Sequence, residues 1–415
     1  MNKRLLFKST CIALLTASYL LIACSQDKSP PPPDMKEQMD RVYQAVAKLS
    51  DLSWHPVMFA DPANRQEIIG LLNTLKGDFH KVDGKDAKPT HPVFDGFKLS
   101  LDILEGQIED IRLRFEEGST DYAAWKIKGL SANCVACHSR FNLPAPFALP
   151  LPGGDGASTV DSRMQRSIFL FAGRQYAESL SELELIIKSK ESSGARLEAL
   201  KLWLYLQLRV LGQPEVARTG LQLFYEQDTS KTDLPILVSK RKKTKQKICL
   251  EQTSVDRSEF ATLVHSWIEA LDAGEFASPE EALLRHRQSM DSEVSIPTRE
   301  KMLVVYLGII SLVHKQLDMP IQEAERRHAL LLLAWAYKSM PIALFELDRE
   351  MYMEQCIREY PGSDEAKKCY LLFKEHIEET FSGANGLFLT DSQHRQLAKL
   401  RSIAYDLGDT EGDGS

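Results

Sequence analysis

Apolar residues in the first third of the chain recur at intervals of three and four, which places them on one face of an α-helix. The most regular of these stripes runs through Val93, Phe97, Leu101, Leu104, Ile108, Ile111 and Phe115. Similar stripes predict helices before it, at about 35–50 and 61–79, and after it, at about 122–141. Alternating threes and fours are typical of helices that pack side by side. The pattern therefore predicts an antiparallel four-helix bundle over residues 35–143.

A stretch rich in proline and glycine, residues 144–157, follows the bundle and cannot form a helix, so we interpret it as a linker. Helical patterns resume beyond it and predict an α-helical domain over residues 158–405. Its expected helices span about 160–173, 175–190, 193–211, 214–227, 257–273, 279–290, 298–316, 320–338, 343–359 and 362–381. Residues 406–415 are small and acidic and are predicted to be disordered. The predicted fold class is all-α.

Two segments of the second domain resemble tetratricopeptide repeats. In Phe171–Leu180, Gly173 and Tyr176 are three residues apart, as they are in the helix pairs of that family. The segment Cys356–Ala366 is similar to the turn between such repeats. No clean period of about 34 residues runs through the region, so an irregular helical domain is the alternative to an array of helix hairpins.

The chain contains a single Cys-x-x-Cys-His pattern, formed by Cys134, Cys137 and His138. Two thiols at this spacing can bond to the two vinyl groups of one haem, and the adjacent imidazole is then the proximal iron ligand. The alternatives are a redox dithiol and half of a zinc site. A redox Cys-x-x-Cys motif is expected to follow a β-strand, whereas the residues before Cys134 have a helical pattern. A zinc site needs about four ligands, and no second cluster of cysteine and histidine lies nearby. We therefore expect one covalently attached haem c.

A haem motif late in the fourth helix of a bundle, followed by the basic and aromatic pair Arg140 and Phe141, resembles the cytochrome c-prime and cytochrome c556 family. The resemblance implies a haem buried edgewise in the bundle, with His138 as the fifth iron ligand. It also implies that a residue of the first helix faces the sixth position, and Met39 or Met35 could fill that role with a thioether ligand. The alternative is that both methionines only fill the bundle core.

The amino terminus has a short basic region and then an apolar run that is too short to span a membrane. The run ends in Leu21-Ile22-Ala23-Cys24, which resembles the lipobox of bacterial lipoproteins. The resemblance implies that residues 1–23 are a signal peptide and that Cys24 is lipidated; an ordinary secretory peptide and an uncleaved anchor are the alternatives. Ser25 after the cysteine resembles the sorting pattern of Gram-negative lipoproteins, and this resemblance implies the outer membrane. Four prolines within residues 24–34 predict an extended tether.

Charge and the remaining cysteines agree with an exported protein. The formal net charge of −7 argues against nucleic-acid binding. Cys356 and Cys369 flank the predicted turn at Pro361, and a disulfide between them is favoured in an oxidising compartment, although sequence alone leaves other pairings open.

The expected function is that of a lipid-anchored cytochrome of a Gram-negative cell envelope, facing the periplasm, that transfers single electrons. The second domain is expected to dock protein partners, either redox or envelope proteins. No phosphate-binding loop, zinc-protease helix or nucleophile elbow is found, so we do not expect an enzyme. A sensor that binds nitric oxide or carbon monoxide, and an envelope scaffold with a structural haem, are the alternative functions.

Overall fold

The computed structural model describes residues 33–82, 93–140, 159–189, 193–229, 257–274, 278, 281, 296–342, 346–383, 386–387 and 389–407. The predicted signal peptide, Cys24, the linker 144–157, the helix predicted at 279–290 apart from residue 281, and the tail beyond Leu407 lie outside these residues. The chain divides into two compact units, Met1–Met39 and Asp40–Ser415. Of the first unit, only residues 33–39 are described, and they form the first turns of a helix.

The predicted antiparallel bundle is confirmed. Its helices are α1 Pro33–Trp54, the short α2 Pro56–Ala60, α3 Arg65–Val82, α4 Val93–Glu116 and α5 Thr120–Arg140. The sequence Asp61-Pro62, an acidic residue followed by proline, predicts a capped helix that starts at Pro62. The carboxylate of Asp61 does accept a hydrogen bond from the Ala63 N–H. This cap opens a 3-10 turn, Pro62–Asn64, and α3 itself starts three residues later than predicted.

Polar contacts between the helices show that neighbours run in opposite directions. Arg41 of α1 pairs with Asp78 near the end of α3. Arg65 at the start of α3 donates to the carbonyl of Glu116 at the end of α4. The predicted stripe of α4 faces the core, where Leu101, Leu104, Ile108, Ile111 and Phe115 are buried.

Trp125 does not belong to the buried face of α5. Its side chain is 48% exposed and lies under the ammonium group of Lys126, 5.2 Å from the ring centroid. The core is instead filled by Ile127 and Leu130 of the same helix. Residues two apart on a helix are separated by about 200°, so Trp125 and Ile127 face nearly opposite sides.

The region after the linker is also helical, in agreement with the predicted fold class. Its helices are α6 Val160–Ala172, α7 Tyr176–Lys188, α8 Ser193–Tyr205, α9 Pro214–Thr229, α10 Arg257–Asp272, α11 Ile296–Lys301, α12 Leu303–Leu317, α13 Glu323–Ser339, α14 Glu346–Glu359, α15 Asp364–Thr380 and α16 Asp391–Tyr405. A small antiparallel hairpin, β1 Ser382–Gly383 with β2 Gly386–Leu387, separates the last two helices.

Three features of this region differ from the sequence prediction. The predicted helix 193–211 ends as an α-helix at Tyr205 and continues as a π-helical turn, Leu206–Val210. The predicted helix 298–316 is divided at Met302 into α11 and α12. Helix α16 was not predicted as a separate helix.

Helices that follow one another in sequence mostly pack together as hairpins, and they bury a common apolar core. Val135 of α5 is completely buried in the same hydrophobic cluster as Phe171 of α6 and Leu183 of α7. Helices α4 and α5 also contact α14. The bundle therefore packs directly on the helices that follow it, while the boundary proposed at 144–157 stays a prediction.

Cys356 of α14 and Cys369 of α15 are joined by a disulfide, which is the pairing expected from the sequence. Their Cα atoms are 6.1 Å apart, and both side chains are buried. The turn between the two helices contains Gly362 with a φ of +76°, a conformation that glycine adopts readily. In the part of the chain that the structure describes, no helix is both long and apolar enough to cross a membrane.

Candidate haem-attachment site

The Cys-x-x-Cys-His motif lies in the last turns of α5. Cys134 and His138 are four residues apart, so the helix places both on the same face, with Cys137 adjacent. Cys134 is half-buried, and its sulfur is 3.8 Å from the carbonyl oxygen of Leu130 one turn earlier. The side chain of Cys137 is outside the described part of the structure.

The imidazole of His138 is held by the backbone of the next helix. Its Nδ1 lies 2.5 Å from the carbonyl oxygen of Ala172, the last residue of α6. A carbonyl oxygen only accepts hydrogen bonds, so Nδ1 must carry the proton in this contact. The lone pair of the neutral ring then resides on Nε2, which is the atom available to a metal.

The surroundings of His138 favour its neutral form. Burial lowers the pKa of the imidazole to about 4, and the nearby guanidinium of Arg174 also lowers it, while the hydrogen bond to Ala172 acts in the opposite direction. At neutral pH the ring is therefore uncharged. Metal binding requires this form, because a protonated imidazole has no free lone pair.

The turn between α6 and α7 supplies the partner of His138. The backbone N–H groups of Gly173, Arg174 and Gln175 donate to the carbonyls of Phe169, Phe171 and Leu170, respectively, and the carbonyl of Ala172 accepts from the imidazole. Arg174 has a φ of +61°, in the left-handed region that non-glycine residues seldom occupy. Its Nη2 donates to the carbonyl oxygen of His138 over 3.0 Å.

Two aromatic side chains, Tyr43 and Phe169, lie near Cys134. Tyr43 of α1 is buried, and its pKa is raised to about 12 by burial and, to a lesser extent, by Cys134. The Tyr43 ring packs edge-to-face on Phe169 of α6, with 5.8 Å between the ring centroids. Two buried aromatic rings therefore pack together near this thiol, which is itself half-buried.

These side chains fit one haem c. Porphyrin supplies four donors to its iron, so the protein needs to provide only an axial ligand and two thiols for attachment. The orientation and neutral charge of His138 meet the first requirement, and the spacing of Cys134 and Cys137 meets the second. Over the described ranges, no group of three or more histidine, cysteine, aspartate or glutamate side chains is arranged to hold a bare metal ion.

The proposed sixth ligand is not tested by this geometry. Met39 is half-buried within α1, and it belongs to the compact unit Met1–Met39. The side chain of Met35 is outside the described residues. Ligation of iron by either methionine stays a prediction, as does lipidation of Cys24.

A large cleft among the described residues lies away from the motif. It is a polar cleft of about 930 Å³ between α4 and α5 on one side and α14, α15 and α16 on the other. None of the three motif residues lines it.

Ala172 and Arg174 were missed by the sequence analysis. Gly173 and Tyr176 of the same turn were noted as a repeat signal, but nothing linked the turn to the haem motif. The contact joins residues 34 positions apart across the proline-rich stretch, and no local pattern reports such a pairing. The only local signal of this turn was Gly173, because glycine is common where helices end.

No protein-family model, no curated protein and no solved structure matches this chain. The likeness to the cytochrome c-prime family therefore rests on the motif and its position in the bundle.

Proposed function

We propose that the protein is a mono-haem c-type cytochrome that transfers single electrons in a bacterial cell envelope. Cys134 and Cys137 would form the two thioether bonds, and His138 would be the proximal iron ligand through Nε2. The observation that carries the proposal is the hydrogen bond from His138 Nδ1 to the carbonyl of Ala172, because it leaves the lone pair on Nε2, the nitrogen that faces away from this carbonyl.

The haem, when bound, supplies a one-electron change at iron. The protein's own residues have three tasks around it. His138 presents a neutral nitrogen, the buried Tyr43 and Phe169 rings would provide an apolar surrounding near Cys134, and the packing of α5 on α6 would keep the motif in one orientation. A rigid, partly dry surrounding supports electron transfer, because little rearrangement is needed when the charge changes.

The location is proposed from the amino terminus. Lipidation of Cys24 and the tether over residues 24–34 would hold the protein on the outer membrane, facing the periplasm, where haem c is attached and where the Cys356–Cys369 disulfide persists. The helices after the linker would dock protein redox or envelope partners. Incorporation of labelled palmitate into the wild type, and its loss in Cys24→Ala, would support the anchor; failure to label the wild type would remove it.

The ferrous absorbance spectrum of the purified protein tests electron transfer against gas binding. A low-spin spectrum that becomes high-spin in Met39→Ala or Met35→Ala supports a methionine-ligated electron carrier. A high-spin spectrum that neither substitution changes contradicts it and favours the binding of nitric oxide or carbon monoxide. If haem loss in Cys134→Ala with Cys137→Ala left partner binding intact, the haem would be structural and the scaffold function would be favoured.

A further inference from the structure

We infer that Arg174 is a positioning residue for the proposed iron ligand and that, through it, the helices after the linker set the redox potential of the haem. The inference rests on the proposed haem attachment. It adds a residue from outside the bundle to the haem site, and it gives the larger helical region a direct effect on haem chemistry.

Two hydrogen bonds of opposite direction join His138 to the α6–α7 turn. The imidazole Nδ1 donates to the carbonyl of Ala172 over 2.5 Å, and Arg174 Nη2 donates back to the carbonyl of His138 over 3.0 Å. One contact holds the ring, and the other holds the backbone from which the ring projects. Together they fix the direction of Nε2 more tightly than either contact alone.

The backbone of Arg174 indicates why an arginine occupies this position. A φ of +61° is unfavourable for a residue with a β-carbon, and glycine would adopt it without strain. Gly173, immediately before it, has an ordinary φ of −79°. The side chain, which is half-buried, offsets this strain by donating a hydrogen bond to the carbonyl of His138.

The position of the Ala172 carbonyl adds an electrostatic effect. Ala172 ends α6, and the C-terminal end of a helix carries a partial negative charge. A hydrogen bond from Nδ1–H to this carbonyl increases the electron density on Nε2, which strengthens its bond to ferric iron. The turn therefore lowers the midpoint potential, and loosening it raises the potential.

The experiment uses full-length holoprotein with Arg174→Gly, Arg174→Lys and Arg163→Ala. Arg174→Gly relieves the backbone strain and removes the hydrogen bond from the side chain to the carbonyl of His138, and thermal unfolding reports whether the fold is retained. Arg163 pairs with Glu182 between the same two helices, 2.9 Å apart, and its substitution controls for general loosening of α6 on α7. Midpoint potential, the iron–histidine stretching frequency of the ferrous protein, haem content and thermal unfolding are measured for each variant.

We expect Arg174→Gly to shift the ferrous-to-ferric equilibrium about tenfold toward ferrous iron, a rise of about 59 mV in potential for one electron. The stretching frequency falls in the same variant, Arg174→Lys recovers part of both changes, and Arg163→Ala leaves both unchanged. The inference is overturned if Arg174→Gly carries normal haem at an unchanged potential, or if Arg163→Ala shifts the potential equally. Absence of covalent haem from the wild type would instead reject the proposed function itself.

Discussion

The carbonyl oxygen of Ala172 accepts a hydrogen bond from Nδ1 of His138, 2.5 Å away, although a proline-rich stretch separates the two residues in sequence. The haem motif thus lies against the helices that follow the bundle instead of on a free end of it. Val135 between the motif cysteines is buried in the same core as Phe171. Helix α6 therefore contacts the motif histidine directly.

The ion pair between Arg41 and Asp78 is expected to stabilise the bundle. Two hydrogen bonds of 3.0 and 3.2 Å join the side chains, and Asp78 is only 4% exposed. Asp78→Asn should lower the free energy of unfolding by about 2 kcal/mol, because it removes a charge-assisted pair and leaves buried polar atoms poorly satisfied. Urea denaturation measures the change.

Lys76→Ala provides the control, since its pair with Glu109 is on the surface and should contribute less than about 1 kcal/mol. Equal losses in the two variants would contradict the assigned role of the buried pair.

Two glycines are expected to respond in opposite ways to alanine. A β-carbon at Gly220 of α9 would overlap the ring of Trp203, which is buried against it, whereas one at Gly70 of α3 would meet nothing within 4 Å. Gly220→Ala should destabilise the protein by about 1–3 kcal/mol through overpacking. Gly70→Ala should stabilise it by about 0.5–1 kcal/mol, because alanine favours the helix. Thermal unfolding of both variants distinguishes them, and a neutral Gly220→Ala would refute the predicted contact.

The disulfide between α14 and α15 closes a short loop, with its two cysteines 13 residues apart in sequence. Replacing both Cys356 and Cys369 by alanine should lower the free energy of unfolding by about 3 kcal/mol. The main reason is that the unfolded chain has more conformational entropy without the cross-link. The transition temperature of the double variant is compared with that of the wild type without reductant. Free thiols at both positions in the native, unreduced protein would show that the bond does not form.

His376 should make the protein sensitive to mild acid. Burial, followed by Arg349, Lys338 and Lys126, lowers the pKa of its imidazole to about 4, although Glu350 lies 3.8 Å from Nε2. Between pH 6.5 and 4 the unfolded chain takes up a proton that the folded protein does not. The free energy of unfolding should therefore fall by about 3 kcal/mol as the pH decreases through this range, and stay constant below it.

The variant His376→Gln removes this titration and keeps a polar side chain. Denaturation at a series of pH values should show that the stability difference between wild type and variant shifts by about 3 kcal/mol in favour of the variant on going from pH 7 to pH 4. If the free energies of unfolding of wild type and variant changed in parallel with pH, the assignment of His376 as a buried, neutral histidine would be excluded.

The bundle could be predicted from the sequence because its signals are local. The stripe from Leu101 to Phe115 identified both the element and its buried face, and Asp61 with Pro62 identified a helix start. Helix α16 was missed as a separate helix because its few apolar positions, Leu397, Leu400 and Ala404, make only a weak stripe.

Only the motif residues of the candidate site could be predicted from the sequence. Cys134, Cys137 and His138 lie within five residues of the sequence, and their spacing alone predicts haem attachment. Ala172 acts through its backbone carbonyl, which every residue has, so its identity carries no signal. Arg174 is recognisable only from its left-handed φ and from its contact with His138, and both depend on how α6 docks on α5.

Covalent haem is tested most directly by intact mass spectrometry of the protein exported from a bacterium that matures cytochromes c. We predict a mass increase of one haem that survives denaturation and acid extraction, with peptide mapping that places it on Cys134 and Cys137. An unmodified motif peptide from the same cells, in which a control cytochrome c carries its haem, would contradict the central claim.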